Sequence, residues 1–549
     1  MSAATQASPL PTTAPGKIPS ATVWKPRANR WAVALTVTLA TFMEVLDTSI
    51  ANVALPHIAG GLGASADEAT WVLTSYLVAN AVILPASAYL TTFIGRKRFY
   101  MICVVLFGIS SAMCGLAPSL PLLIFFRVLQ GAGGGGLAPS EQAILADTFE
   151  PKDRGKAFAV YGIAVVCAPA IGPTLGGYIT DNFDWRWIFF INVPVAIISL
   201  FLTNRIVEDP PHIVQEVKET QKKGLNLDFV GFILLAIGFG SLEFVLDKGQ
   251  EDDWFGSRLI TTFVVLCVSS LILLALWELR QIRTGHKPIL DLTLFKKRNF
   301  AVAFSLMFVL GFCLFGSTVL IPQFVQSMLG YTAEQAGLVI SPGGLGIILL
   351  MPLVGFLVGK VDARILVAYG FTSCSIALFC MLSLDLNVSY SYIVWLRVFQ
   401  ASGLAFLFVP ISTISFAGMP PNKNNDISGL TNLARNIGGS VGTAFLVTVL
   451  VRRAQYHQVR LGDHLSTSSM SLQNEAVMMS QYLHNKGIVY SLIQGRLAAQ
   501  GTVMRQLVLH STMLAYLDVI KCFAIAMAIM VPVVFLMSKV KGGRGAGGH

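Results

Sequence analysis

Polar and apolar positions alternate along this chain in long blocks. Runs of about 20 mostly apolar residues, enough to cross a bilayer at 1.5 Å rise per residue, recur at 31–53, 70–93, 99–117, 120–145, 157–179, 187–202, 229–246, 259–279, 300–328, 337–358, 365–384, 392–416, 430–451 and 514–537. The pattern predicts an all-α polytopic membrane protein with fourteen spans. The thirteenth run has the weakest signal, because it holds Arg435 and several glycines. Between the last two runs lies a polar stretch, 456–512, with apolar residues at helical spacing (Leu472, Val477, Met478, Tyr482, Leu483). A loop this long without a function is uncommon. It reads either as a solvated amphipathic hairpin or as a docking surface for a partner outside the cytoplasm.

Lys and Arg in the short loops set the orientation. The first tail carries Lys17, Lys25, Arg27 and Arg30. Alternate loops carry Arg96, Lys97 and Arg98; Lys152, Arg154 and Lys156; Arg205, Lys218, Lys222 and Lys223; the group from Arg280 to Arg298; Lys360 and Arg364; then Lys423. Lys539, Lys541 and Arg544 follow the last span. The intervening short loops offer only Arg186, Lys248 and Arg258. Both termini are therefore expected in the cytoplasm, which requires an even number of spans.

Composition agrees with the pattern. Of 549 residues, 54% are hydrophobic and 12% charged, against about 25% charged in an ordinary soluble chain. Mean hydropathy is +0.67. These numbers exclude a soluble globular fold, disorder, collagen and a coiled coil. The net charge of +10 sits in loops where topology places it, so it points to no nucleic-acid partner. The eight cysteines fall in apolar stretches and form no CxxC. They read as small packing residues, and neither a disulfide framework nor a metal site is expected. Residues 1–30 are polar and lack the hydrophobic core of a cleavable signal peptide.

Two features repeat along the chain. Arg127-Val-Leu-Gln130-Gly131 in the fourth span, with Pro139 beyond, matches Arg397-Val-Phe-Gln400-Ala401 in the twelfth, with Pro410 beyond. Leu55-Pro56 followed by Leu62-Gly63 matches Ile321-Pro322 followed by Leu329-Gly330. Both matches shift by eight spans. Two six-span halves with two extra spans between them produce that shift, and such repeats build secondary transporters. The expected organisation is a tail (1–30), a first six-helix bundle (31–206), a linker with two extra helices (207–283), a second bundle (284–537) that includes the 456–512 loop, and a tail (538–549).

Ionisable groups inside a membrane cost at least about 2.5–3.5 kcal/mol each and need a reason. Glu44 and Asp47 lie three apart, on one face of the first span; Arg127 lies in the fourth. Counting from the span ends puts Asp47 and Arg127 both roughly 9 Å below the outer surface, so a contact is available to them. Glu44 is deeper. The pair serves either as a static lock between two helices or as a proton-coupled switch, since burial raises a carboxylate's pKa and an arginine beside it lowers it. Glu44 reads as a proton carrier or a counter-charge for a cationic substrate. Glu141 lies near the inner end of its span, where an interfacial position competes with a place in a substrate cavity. Glu243 and Asp247 sit in the seventh span, outside the repeats. Arg397 and Arg435 belong to the second half, and Arg435 is long enough to snorkel to the surface.

The glycine run 131–136, Gly-Ala-Gly-Gly-Gly-Gly, formally matches a dinucleotide fingerprint, but it lies inside a membrane helix with no strand before it. Close helix packing is its reading. No phosphate-binding GxxxxGK[ST] occurs. In the fifth span Gly162, Pro169, Gly172-Pro173 and Gly176-Gly177 combine kinks with close approach, as a moving seam or a static tight contact would.

Together these motifs resemble the major facilitator superfamily, and within it the fourteen-span drug:proton antiporters of the EmrB-like group. Leu46-Asp47-Thr48-Ser49-Ile50-Ala51-Asn52-Val53-Ala54-Leu55-Pro56 is similar to their first-span motif, Arg127-Val-Leu-Gln130-Gly131 to RxxQG, and Gly172-Pro173-Thr-Leu-Gly176-Gly177 to the antiporter motif of the fifth span. Further likenesses are Trp185-Arg-Trp-Ile-Phe-Phe-Ile-Asn-Val-Pro194, Leu246-Asp-Lys-Gly249 with Asp253-Trp254, and Asp291-Leu-Thr-Leu-Phe-Lys-Lys-Arg-Asn-Phe300. Two departures stand out. Gly95-Arg96-Lys97-Arg98 lacks the Asp that usually precedes it, which bears on cytoplasmic latching. Glu44 stands where Gln is expected, which bears on substrate charge or proton stoichiometry. The resemblance implies an inner-membrane exporter, not an enzyme. It would exchange amphipathic toxic compounds for protons by alternating access, without a cofactor or metal, alongside an EmrA-like periplasmic adaptor and an outer-membrane channel. Asp47 would take the proton with Arg127 as its partner, and Glu44 would be a second acid or a cation contact. Glu44, Glu141 and Arg397 would line the substrate cavity. Gln130, Gly131, Gly172, Pro173, Gly176 and Gly177 would form the conformational motif. A proton-coupled metabolite exporter or importer would share this architecture.

Overall fold

The computed structural model describes residues 26–222, 228–463 and 492–538, with the pairs 477–478, 481–482 and 485–486 between the last two segments. Lys17, Lys25, Lys223, Leu472, Leu483, Lys539, Lys541 and Arg544 lie outside the described residues. The described residues form helices and no strand. The first half comprises α1 (Arg30–Leu62), α2 (Ala66–Ile94), α3 (Arg96–Leu116), α4 (Leu120–Gly134), α5 (Leu137–Thr148), α6 (Arg154–Asn182), α7 (Trp187–Phe190) and α8 (Asn192–Ile206). A short amphipathic α9 (Pro211–Lys222) and the pair α10 (Phe229–Lys248) and α11 (Arg258–Arg283) follow. The second half comprises α12 (Arg298–Leu329), α13 (Ala333–Val358), α14 (Ala363–Cys380), α15 (Tyr390–Ser415), α16 (Asn424–Asp463) and α17 (Leu492–Val534).

Among the described residues, thirteen helices are long and apolar enough to cross a membrane, taking α4 with α5 and α7 with α8 as single spans. Residues Arg154–Pro169 and Ile171–Asn182, bent by 44° at the proline, make a fourteenth. Each of the fourteen predicted runs falls on one of these. The outer surface is apolar, as lipid requires: Leu349 is 78% exposed and Trp395 71%. Six cysteines are buried, while Cys380 and Cys522 are exposed, contrary to the expectation of buried packing residues for all eight.

Three boundaries differ from the sequence pattern. The fourth span is broken at Gly135 and Gly136, because consecutive glycines weaken the helix where α2 and α3 press against it; a Cβ at Gly135 would meet the Asn80 carbonyl, and one at Gly136 the Cys103 sulfur. The thirteenth span, the weakest in sequence, is a 40-residue helix that starts at Asn424. The 456–512 stretch is not a loop throughout: α16 runs on to Asp463, and α17 is already helical at Leu492.

The internal repeat is visible in backbone detail. Both α1 and α12 end in a left-handed glycine, Gly63 (φ 63°) and Gly330 (φ 72°). Each is followed two residues later by a capping box: Ser65 with Glu68 opens α2, and Thr332 with Gln335 opens α13. Helices α1 to α8 pack among themselves, and so do α12 to α17, while α6 meets α13 and α2 meets α16 across the seam. The seam is closed at the end bearing Asp147 and Asn424. There the Asn424 amide donates to Asp147 (2.5 Å), Asn425 to Thr91 (2.9 Å) and Asn432 to Gln142 (2.9 Å), and Phe158 stacks on Phe416. Toward the other end α10 stands against both α2 and α16. The Ser440 hydroxyl donates to Glu243 (2.6 Å), Thr74 bonds Asp247, and Phe244 stacks on Trp71.

Glycines set how closely helices approach within a half. A Cβ at Gly438 or Gly442 of α16 would overlap the carbonyl oxygens of Phe308 and Phe312 in α12. Overpacking of this kind costs about 1–3 kcal/mol. Gly438→Leu is expected to lower the thermal unfolding midpoint of the detergent-solubilised protein, whereas Gly462→Ala, which meets nothing within 4 Å in the same helix, is expected to leave it unchanged.

Candidate functional site

The first half encloses a polar cluster in an apolar shell. Asp47 projects from α1 and Arg127 from α4; the Arg127 Nη1 donates to Asp47 Oδ2 at 2.7 Å. Both side chains are buried. The pair is not alone. Gln130, one turn along α4, donates from Nε2 to Asp47 Oδ1 (3.0 Å) and accepts from Arg127 Nη1 at its Oε1 (2.8 Å). Asn192 at the start of α8 donates to Asp47 Oδ1 (2.6 Å) and to Ser111 Oγ (3.1 Å). Ser111 in turn donates to the Phe189 carbonyl (2.9 Å). Arg127 Nε donates to the Val72 carbonyl (2.9 Å), and its guanidinium lies 4.4 Å from the centre of the Tyr76 ring. The carboxylate thus accepts three donors from two helices besides its own, and the cation is held by a carbonyl, an amide and an aromatic face. A buried ion pair persists only with such additional partners.

Glu44, one turn below Asp47 on α1, is buried and has no basic hydrogen-bond partner. It accepts from Asn80 (3.2 Å) and Tyr76 (3.3 Å) of α2. The Asn80 Oδ1 accepts from Asn436 of α16 (3.4 Å), so Glu44 is linked through one amide to the opposite half. Tyr76 touches both acids' surroundings, stacking on Arg127 and donating to Glu44.

Glu141 is fully buried and accepts from the Thr38 hydroxyl of α1 (2.5 Å). It does not sit at the membrane surface, because α5 is covered by α1 and α16. Arg435 does not snorkel: it is buried at the seam and donates to the Tyr161 hydroxyl of α6 (3.1 Å), which donates to Asn432 (3.1 Å). Glu243 is likewise buried, bound to Ser440 of α16. Arg397 lies apart from these groups, inside the second half.

The glycines divide between two faces. Gly131 packs on α2, where a Cβ would overlap the Tyr76 carbonyl. Gly172 and Gly176 face α1, against Ser49 and Ile50, and Ser49 donates to the Pro169 carbonyl freed at the bend (3.2 Å). Pro173 lies between them within α6, and Gly177 meets nothing within 4 Å. The seam side of α6 is instead formed by Gly155 and Gly162, against Val358, Met351 and Phe408, with Thr174 facing Ser341. Sequence reasoning missed Asn192, Ser111, Asn80 and Tyr161 as members of the polar chain. Asn192 did stand within a quoted motif, but nothing in linear spacing ties it to Asp47.

Comparison with known proteins places this geometry. Residues 37–443 match the family model described as Major Facilitator Superfamily. The chain is 38% identical to the probable multidrug resistance protein EmrY of Escherichia coli K12, over 86% of this chain and 90% of that protein. It is 37% identical to the multidrug export protein EmrB of the same strain, over 87% and 91%. It is 36% identical to the fatty acid resistance protein FarB of Neisseria gonorrhoeae, over 96% and 99%. Among solved structures, a double-tryptophan mutant of XylE aligns over 94% of this chain and 97% of its own with a TM-score of 0.58 at 15% identity, a likeness of fold. The chain belongs to the Major Facilitator Superfamily and is a multi-pass transporter of the bacterial inner membrane.

Proposed function

We propose that this transporter expels amphipathic toxic compounds from the cytoplasm in exchange for protons, as the membrane subunit of an assembly with an EmrA-like periplasmic adaptor and an outer-membrane channel. The observation that carries the exchange is the buried cluster in which Asp47 and Arg127 hold α1 to α4. A proton delivered to Asp47 cancels the carboxylate and leaves Arg127 with the Val72 carbonyl, the Gln130 carbonyl and the Tyr76 ring. The cation keeps its partners while α1 loses its charge-assisted tie. Helix α1 is then free to shift against α4, and its Ser49 and Ile50 face transmits that shift to the glycines of α6 at the seam.

Glu44 supplies the second acid. Its tie through Asn80 to Asn436 makes its protonation sensitive to whether the halves are joined there. Glu141 and Arg435 lie deeper on the same seam, and substrate would pass between them as the halves rock. The names of relatives range from multidrug export to fatty acid resistance, which favours amphipathic compounds over a single hydrophilic metabolite.

The adaptor contact is assigned to the projecting ends of α16 and α17. Helices of 40 and 43 residues reach about 60 Å at 1.5 Å per residue, twice the roughly 30 Å hydrocarbon core. Asp518 ties them, accepting from Arg453 (2.6 Å) and paired with His457 (2.7 Å). Tyr456, Val459, Met504 and Val508 are exposed along this stalk. By the distribution of Lys and Arg, it points away from the cytoplasm.

Asp47→Asn in proteoliposomes bearing a pH gradient is expected to reduce substrate-driven proton flux by about tenfold or more; undiminished flux would remove Asp47 from coupling. Val459→Lys combined with Val508→Lys is expected to leave transport in proteoliposomes intact while lowering export from whole cells by about tenfold. A parallel loss in both measurements would place the defect in the transporter and not in adaptor docking.

A further inference from the structure

The repeat supplies an internal comparison for Arg397. In the first half Asp47 bridges Arg127 and Gln130, one carboxylate oxygen to each. In the second half Arg397 and Gln400 keep the same spacing and the same mutual bond, Arg397 Nη1 to Gln400 Oε1 at 2.7 Å against 2.8 Å for Arg127 and Gln130. The acid is missing. Pro56 and Pro322 register α1 with α12, and nine residues before each stand Asp47 and Cys313. Cys313 is buried, and its thiol makes only a long contact with the Phe523 carbonyl (4.0 Å).

The loss leaves donors over. Arg397 reaches one turn further along α12 to two neutral hydroxyls, Ser317 (3.3 Å) and Thr318 (3.4 Å). Among the described residues its Nε and the Nε2 of Gln400 have no acceptor, whereas in the first half Gln130 is fully bonded and Arg127 leaves over only its Nη2. Among the described residues no carboxylate is paired with this guanidinium. Arg397 is 5% exposed and Gln400 0%, so these are a buried positive charge and two buried N–H donors for which no described residue provides an acceptor. A buried unsatisfied donor costs stability, and a buried unpaired cation costs more.

We propose that this cluster is a binding site for the carboxylate of an anionic amphipathic substrate, seated between Arg397 and Gln400 as Asp47 is seated between Arg127 and Gln130. The inference rests on the export reading above and names one substrate class for it. The bound carboxylate accepts from Gln400 Nε2 and from the guanidinium. Thr318, the partly exposed member of the cluster, marks the approach, and the alkyl tail remains outside the cluster. The two halves thereby divide the work: an internal carboxylate takes protons in the first half, and a transported one is recognised in the second.

The test uses the full chain, purified and in proteoliposomes, with two probes of equal tail length: decanoate and decyltrimethylammonium. Two variants address the site. Arg397→Gln removes the cation. Cys313→Asp builds the missing acid into the chain, so that it occupies the site in place of a ligand. Both are expected to weaken decanoate binding and slow its transport by about tenfold or more while decyltrimethylammonium transport is kept, which also shows that the variants fold. Equal loss of both probes, or no loss of decanoate, would overturn the proposal. So would a chloride titration in sulfate buffer that shows Arg397-dependent chloride binding without competition from decanoate. Decanoate binding that is strong in the parent protein and lost in both variants, with no proton-driven uptake, would sink the coupling reading and leave the site standing.

Discussion

A carboxylate and a guanidinium enclosed in an apolar bundle constrain everything around them. Taking two charges out of water costs several kcal/mol each, and attraction between them offsets this only when the remaining lone pairs and protons are also satisfied. In this transporter that condition is met for all but Arg127 Nη2, by recruiting α1, α4, α8 and α3 through Asp47, Arg127, Gln130, Asn192 and Ser111, plus the backbone of α2 at Val72. Removing one partner from such a pair typically costs about 3–5 kcal/mol. A proton is the gentler way to break it. It neutralises the acid in place, and the arginine retains a carbonyl and an aromatic face. The arrangement that makes the pair stable is thus also the one on which the proposed proton switch rests.

The second constraint is how α1 is joined to the seam. Helices in lipid gain little from burying apolar surface against each other and depend on close packing. Gly172 and Gly176 bring α6 onto α1 at Ser49 and Ile50, while the opposite side of α6 meets α13 through Gly155 and Gly162. One helix therefore packs on α1, which bears Asp47, with one face and forms the contact between halves with the other. The bend after Pro169, whose carbonyl is taken up by Ser49, lies between these faces.

The seam has a polar end, bearing Asp147 and Asn424, and a different opposite one. Asn424, Asn425, Asn432 and Asn436 join α16 to the first half by amide hydrogen bonds, and no Asp precedes Gly95. Asp147, in α5, is paired with Arg96 and also accepts from Asn424, so one carboxylate serves both the loop and the opposite half. Toward the opposite end, α10 packs against both α2 and α16 beside their direct contact. It bonds α16 through Glu243 and α2 through Asp247 on the same helix. Of the two extra helices, α10 is thereby packed into the seam, with α11 against its side.

Much of this was legible in the linear pattern, for reasons that concern single segments. Lipid demands long apolar helices, so the fourteen spans follow from hydropathy. A repeat of eight spans is a property of order along the chain. Counting residues at 1.5 Å each placed Asp47 and Arg127 at one depth. What the sequence could not determine is which faces turn toward each other. Hydropathy does not distinguish a buried Glu141 from an interfacial one, or a seam-facing Arg435 from a snorkelling one, because both alternatives leave the same residues in the same span. Asn192 and Ser111 lie 145 and 64 positions from Asp47 and join it only when α8 and α3 pack beside α1. The missing acid beside Arg397 was written in the alignment of Asp47 with Cys313, but only the tertiary structure, by showing what Asp47 does for Arg127 and Gln130, decided that anything was missing.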